Sequence, residues 1–191
     1  MTPPDSTLRI RRLKDPTPAE IETLAEVLLD AVDSGASVGF MSPLARETAV
    51  AFWQRVADDA RAGRRALLIA EDEMLGTRQI CGTVHLILDL PPNQPHRADL
   101  VKMLVHRRAR RRGVGAALMR AAEDLARSLS RTLLVLDAVT DGDAARLYER
   151  LGWTRAGDIP NYALYPDGRA CGTTYYYKQA CTEAPGHEGI E

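Results

Sequence analysis

The chain has 191 residues, 45% of them hydrophobic and 27% charged, with a formal net charge of −1. That composition belongs to a soluble globular protein long enough to bury a core in one domain, and it lacks a global field that would draw the chain to nucleic acid or a membrane surface. No apolar run approaches the ~20 residues of a spanning helix, the N-terminus MTPPDSTLRIRRLK has no signal-peptide core, and three cysteines and four histidines without ligand spacing argue for free thiols, no metal and a cytoplasmic setting.

Residues 1–7 and 180–191 read as flexible tails around a single domain, 8–179. Leu8 to Leu13 is a first strand. Thr17-Pro18-Ala19-Glu20 opens a helix: threonine caps, proline suits the first helical position, and glutamate closes a capping box. Ile21, Leu24, Ala25, Leu28 and Val32 continue one face until the Asp33–Phe40 loop. Ser42-Pro43 is expected to start a second helix, with Ala49, Phe52, Trp53, Val56 and Ala60 on its apolar face. Ala66–Ala70 and Gln79–Leu88 read as strands around a turn containing Gly76, and Pro91–Pro95 as a loop. Within Gln79–Leu88, His85 reads as a strand histidine satisfied by a hydrogen bond. Ala98–Val105 is a further strand, and simple alternation places Asp99, Val101 and Met103 on one face. A glycine turn follows, then a helix with Val114, Leu118, Ala122, Leu125 and Leu129 on its apolar side. Thr132–Ala138 suits a buried, parallel strand. Asp143–Leu151 is a short helix stopped at Gly152. Trp153–Arg155 and Thr173–Lys178 are strands around Pro166-Asp167-Gly168. The sum is a mixed α/β sheet of α+β type with one crossover unit.

The glycine turn, Arg110-Arg111-Arg112-Gly113-Val114-Gly115, carries the chemistry. Free N–H groups and the positive end of a helix dipole make an anion site, which the arginines reinforce unless they only form a solvated basic face. A nucleoside-triphosphate loop needs GxxxxGK[ST], which is absent. A dinucleotide site accounts for Gly113, Gly115 and an acid, Asp137, at the end of the next strand, but its third glycine is replaced by Leu118.

A third reading rests on more of the chain. Arg110, Gly113 and Gly115 form Arg-x-x-Gly-x-Gly at a helix start. Asp99 lies on the preceding strand, and Ala144-Ala145-Arg146-Leu147-Tyr148-Glu149-Arg150-Leu151-Gly152-Trp153 follows the next one. Together these resemble the GNAT N-acetyltransferase superfamily over roughly residues 8–179. Ser34–Met41, Gly157–Tyr162 and Pro166–Arg169 are similar to the tabtoxin-resistance acetyltransferase branch.

The resemblance implies the GNAT fold: a mixed, mostly antiparallel sheet of about seven strands with about four helices, splayed at the cofactor cleft. It implies acetyl-CoA as cofactor and direct transfer, in a ternary complex, to the primary amine of a small molecule such as an amino-acid-like toxin or antibiotic. It also allows a homodimer. A non-catalytic acyl-CoA-binding module stays open beside it. By the same resemblance, Arg110, Arg111, Arg112, Gly113, Val114, Gly115 and Ala116 hold the pyrophosphate. Met103, Leu104 and Val105 pair with the pantetheine, and the Leu104 N–H polarises the thioester. Asp141 stands where many members place a cofactor-contacting Asn. Tyr148 touches the cofactor and protonates the departing thiolate. Asp137, as a partly buried carboxylate of raised pKa, or else Asp99, takes the amine proton, although a turn acid and a solvent-facing acid remain the plain alternatives. Asp33, Ser34, Gly35, Ser37 and Phe40 in the first interhelical loop, with Tyr162, are expected around the acceptor. An ordinary helix connection is the plain alternative for that loop.

Overall fold

A computed structural model describes residues 8–74 and 77–180; the Gly76 turn and the tails at 1–7 and 181–191 lie outside the described residues. In chain order the elements are β1 (Arg9–Leu13), α1 (Pro18–Asp33), α2 (Arg46–Arg61), β2 (Arg65–Met74), β3 (Thr77–Ile87), β4 (Arg97–Val105), a 3₁₀ turn (Arg107–Ala109), α3 (Val114–Ser128), β5 (Leu133–Val139), α4 (Asp143–Arg150), β6 (Thr154–Leu164) and β7 (Ala170–Gln179). The strands form one seven-stranded sheet in the order β1-β2-β3-β4-β5-β7-β6. Every pairing is antiparallel except β4 with β5. No described helix is long and apolar enough to cross a membrane.

Alternation along the strands supplies two apolar faces. Leu67 and Ile69 face α1 and α2, where Leu24, Leu28, Trp53 and Val56 are buried. Ala66, Leu68 and Ala70 face the other way, toward Leu118, Met119 and Ala122 of α3. The capping box that starts α1 is present, with Thr17 N–H donating to Glu20 Oε2 at 2.8 Å and Glu20 N–H donating to Thr17 Oγ1 at 3.3 Å. Arg11 then joins β1 to α1 and β2 through Glu20 at 2.6 Å and Glu71 at 2.8 Å. On the opposite face Glu123 of α3 accepts from Trp153 Nε1 at 3.0 Å and Lys178 Nζ at 2.8 Å, fastening α3 to the chain after α4 and to β7.

Several boundaries differ from expectation. The second helix starts at Arg46, not at Ser42-Pro43: the Ser42 N–H is spent on Pro166 O at 3.1 Å, tying this segment to the β6–β7 turn. β2 runs past Ala70 because its charged extension is paired, Glu71 with Arg11 and Asp72 with Arg112 at 2.5 Å. β6 extends to Leu164, since Gly157 and Pro160 are absorbed as register irregularities in an exposed edge strand. The tail predicted from residue 180 begins later among the described residues, as Ala180 is buried and donates to Thr132 O at 2.9 Å.

Two features of β4 position everything that follows. First, its parallel pairing with β5 lasts three residue pairs, Arg97–Leu133, Ala98–Leu134 and Asp99–Val135. Beyond them β4 stays with β3 and β5 with β7, so the sheet parts. Second, β4 is bulged: Val101 faces His85 and Leu104 faces Thr83, leaving Lys102 and Met103 opposite one residue, with Lys102 at φ 53. The bulge reverses the alternation. Met103 therefore packs with Ala98 and Leu100 on the α3 side, not with Asp99 and Val101 as expected.

His85 lies wholly buried between β2 and α2, its ring 5.8 Å from that of Trp53. The expected hydrogen bond is formed at one ring nitrogen only: Arg65 Nη1 donates to Nδ1 at 3.5 Å, while Nε2 has no partner among the described residues. Burial first, and then the Arg65 and Lys102 charges, push its pKa from 6.5 down to about 3. Between these two values the unfolded chain binds a proton that the folded chain refuses, so stability falls as pH falls below 6.5. Denaturant unfolding of wild type and His85→Gln at a series of pH values should show the wild type losing up to about 1.4 kcal/mol more per pH unit between pH 6.5 and pH 4. Parallel pH profiles would contradict this.

Candidate active site

The parted strands enclose a cleft of about 910 Å³, lined by Leu100–Val105 on one wall and Leu136–Val139 on the other. The start of α3 closes one end, and the α1–α2 loop with Tyr162 closes the other. Met103, Leu104, Val105, Arg110, Arg111, Gly113, Val114, Gly115, Ala116, Ser34, Gly35, Ser37, Asp137, Tyr148 and Tyr162 therefore share one cavity. Arg112, Asp33, Phe40, Asp99 and Asp141 do not line it.

Each residue of the glycine turn has a separate reason for its identity. Gly113 caps α3 in the left-handed region, at φ 81, which favours glycine. Gly115 is needed for space: a Cβ there would stand 3.2 Å from Leu147 Cδ2 and 3.6 Å from Met103 Sδ. The first N–H groups of α3 have no carbonyl one turn back to meet, and the residues that carry them line the cleft, where they could receive an anion. The arginines divide their work. Arg107 bonds Asp30 through its backbone N–H at 2.8 Å and through its guanidinium. Arg110 donates to Val105 O at 3.0 Å and lies 3.6 Å from Asp30. Arg112 turns away to Asp72. Arg111 keeps 89% of its side chain exposed, with only a loose 3.8 Å contact to the equally exposed Asp143. Arg111 is thus the arginine most free to meet a phosphate, while Arg107, Arg110 and Arg112 hold the loop in shape.

Asp30 was invisible as a site residue, yet it is 7% exposed and joins α1 to the turn. The signal available is its place on the buried stripe of α1 between Val27 and Ala31, where an acid needs a partner. Lys102 and Thr173 were also missed, because only the bulge and the β5–β7 register bring them to the cleft.

Asp137 enters from β5 and accepts from Thr173 Oγ1 at 3.0 Å. Its expected partial burial is not found: Asp137 is exposed, because the strand that would cover it has parted. Asp99 is half-buried at the fork and paired with Arg97 at 3.3 Å. Burial raises its pKa, Arg97 opposes the shift, and Asp137 adds to it. Tyr148 is 5% exposed, with Tyr176 at 5.7 Å and Trp153 at 6.2 Å between ring centroids. Burial first, then the charge of Asp137 and the neighbouring Tyr176, holds its phenol protonated well above the ordinary value of 10.

At the α1–α2 end of the cleft Ser37 has a structural partner. Its Oγ donates to Leu164 O at 2.7 Å, tying the α1–α2 loop to β6. Tyr162 meets Tyr175 hydroxyl to hydroxyl at 3.0 Å, and Phe40 packs edge-on against Phe52 with ring centroids 5.3 Å apart. Asp141 occupies a left-handed turn position, φ 59, outside the cleft, while its neighbours Gly142 and Asp143 line it.

A cleft with a helix start at one end, and a carboxylate and a buried phenol further in, has the shape and groups of an acyl-CoA-dependent acyltransferase. The model of the Acetyltransferase (GNAT) family matches residues 29–153, well over half of the chain, and the chain belongs to that family. It is an N-acetyltransferase that uses acetyl-CoA. Solved structures share the fold. An N-acetyltransferase from Staphylococcus aureus Mu50 is 16% identical, covering 92% of this chain and 100% of its own, at a TM-score of 0.74. A ribosomal-protein-alanine N-acetyltransferase from Brucella melitensis is 21% identical over 90% and 99%, at 0.73. The protein yncA from Salmonella typhimurium, solved with acetyl-CoA, is 18% identical over 94% and 98%, at 0.72. Family membership removes the dinucleotide reading. Leu118 needs no glycine in its place because the strand supplies one: a Cβ on Gly82 would stand 3.1 Å from Leu118 Cδ1.

If Asp30 shapes the cofactor turn, Asp30→Ala should weaken acetyl-CoA binding about tenfold, roughly 1.4 kcal/mol. It should also lower stability by about 2 kcal/mol, since only one side of the ion cluster is buried. Calorimetric titration and denaturant unfolding read the two effects. An unchanged Kd would remove Asp30 from the positioning of the turn.

Proposed function

We propose that the protein acetylates the primary amine of a small molecule by direct attack in a ternary complex, with Asp137 as general base and Tyr148 as general acid. The observation that carries this reading is the convergence of the two groups on one gap from opposite faces of the sheet. Tyr148 belongs to the apolar cluster under α3, whereas Asp137, out of phase with Leu134 and Leu136 of that cluster, projects to the α1–α2 side. An acceptor entering beside the α1–α2 loop therefore meets Asp137 first.

The residues fit acetyl-CoA, which would supply an activated thioester acetyl group. The α3 start and Arg111 would hold the pyrophosphate. The space kept open by Gly115 beside Met103 and Leu147 suits the pantetheine. Thr173 orients Asp137 through Oδ2, and Oδ1 has no partner among the described residues, so it is available to take a proton from the acceptor ammonium. Tyr148 keeps its proton at neutral pH and gives it to the departing thiolate. Asp99 serves less well as base, because Arg97 holds it at the fork and outside the cleft. Asp141 is proposed to act on the α4 turn and not on the cofactor. No serine or cysteine nucleophile is required. Burial and the Asp72 charge push the Cys81 thiol up to about 11, and free Cys81 and Cys171 suit a cytoplasmic setting. The likeness of residues 34–41 and 157–162 to the tabtoxin-resistance branch supports an amino-acid-like toxin or antibiotic as acceptor.

Tyr148→Phe and Asp137→Asn should each lower kcat by about 10²-fold or more. Both should leave the Kd for acetyl-CoA within about twofold of wild type. Steady-state thiol release and calorimetry measure these separately. Turnover unchanged in either variant removes that residue from the mechanism.

A further inference from the structure

The β4 bulge does something that the acetyl-transfer mechanism leaves unused. Regular alternation would send residue 102 to the α3 side with Leu100. The bulge, with Lys102 at φ 53, instead turns this side chain toward α1 and α2. There Lys102 Nζ lies 5.9 Å from the centre of the Phe40 ring and 5.8 Å from that of Phe52. The α1–α2 loop presses on it: a Cβ at Gly39 would stand 3.4 Å from Nζ.

Lys102 makes no ion pair or hydrogen bond among the described residues, although it lines the cleft and is half-buried. Ring faces stabilise a cation but leave its N–H donors unspent. The acid that most favours its charge is Asp137, across the parted strands and beyond ion-pair distance, while burial and Arg65 act against that charge. The acceptor side of the cleft thus presents one positive group on β4 and one negative group on β5. That arrangement complements a zwitterion. A polyamine would meet repulsion at Lys102, and a neutral amine would leave the ammonium unpaired.

We infer that Lys102 anchors a carboxylate of the acceptor, so that the preferred acceptors are amino acids and amino-acid-like amines carrying a free carboxylate. This rests on the proposed reaction, with Asp137 receiving the amine end. Phe40, expected from sequence to touch the acceptor, acts instead by holding Lys102 in place.

The test uses the full chain, acetyl-CoA, and a set of L-amino acids, each paired with its carboxamide so that the amine is kept and the carboxylate is lost. Thiol release gives kcat and KM, and calorimetry of the CoA-saturated protein gives binding of the same compounds. The wild type should favour acids over amides by about tenfold or more in kcat/KM. Lys102→Met should cut that preference to below about twofold through KM, with Lys102→Arg retaining part of it. Amides equal to or better than acids, an equal loss on both sets in Lys102→Met, or failure of every acid both to bind and to react would overturn the assignment. Failure of acetyl-CoA itself to bind would overturn the proposed function instead.

Discussion

Everything functional in this molecule depends on two neighbouring strands pairing and then parting. β4 and β5 share three residue pairs and separate after Asp99 and Val135. Three pairs are enough to fix the strands in one sheet, since each keeps its other neighbour along its length. The separation leaves backbone and side chains of both strands lining a cleft through the middle of the sheet. In an unbroken sheet the two faces would be insulated from one another. Here they communicate at one place, and Asp137 and Tyr148 both line the gap there.

The α3 side and the α1–α2 side make different demands. The α3 side has to present N–H groups and close-packed glycine to a long, phosphorylated molecule. It does so by tying its arginines to buried acids, with Asp30 holding Arg107 and Arg110, and Asp72 holding Arg112. A loop of like charges would otherwise repel itself, and pairing converts part of that charge into position. The α1–α2 side offers aromatic rings, the Lys102 ammonium and the Asp137 carboxylate, the groups that the proposed small-molecule acceptor would meet. The bulge in β4 serves both sides at once. It returns Met103 to the α3 side and turns Lys102 to the α1–α2 side.

The order of the elements was legible in the sequence because their periodicities are clean. The Thr17–Glu20 box, the apolar stripe of α3 and the uninterrupted run of β5 each specify an element locally. The glycine turn that starts α3 was legible too, since Gly113 and Gly115 mark a helix start in the sequence, whereas the structural pairing of Arg107, Arg110 and Arg112 with Asp30 and Asp72 was not. What stayed hidden depends on register. Nothing local reveals that residues 102 and 103 oppose one residue of β3, so the face assigned to Met103 was inverted and Lys102 went unnoticed. Asp30 carries no motif, and its partners lie at His106, Arg107 and Arg110, far along the chain. The exposure of Asp137 follows from the parting of the strands and has no sequence signature. Nothing local shows that Ser37, which lines the cleft, also ties its loop to β6 through Leu164 O.

The most direct measurement is a crystal structure of the protein with CoA bound. The parted-strand site predicts the pyrophosphate on the N–H groups at the start of α3 with Arg111 beside it. It also predicts the pantetheine between β4 and β5, and the sulfur facing Tyr148 Oη near Asp137. A pyrophosphate seated elsewhere, or a sulfur out of reach of both side chains, would contradict it.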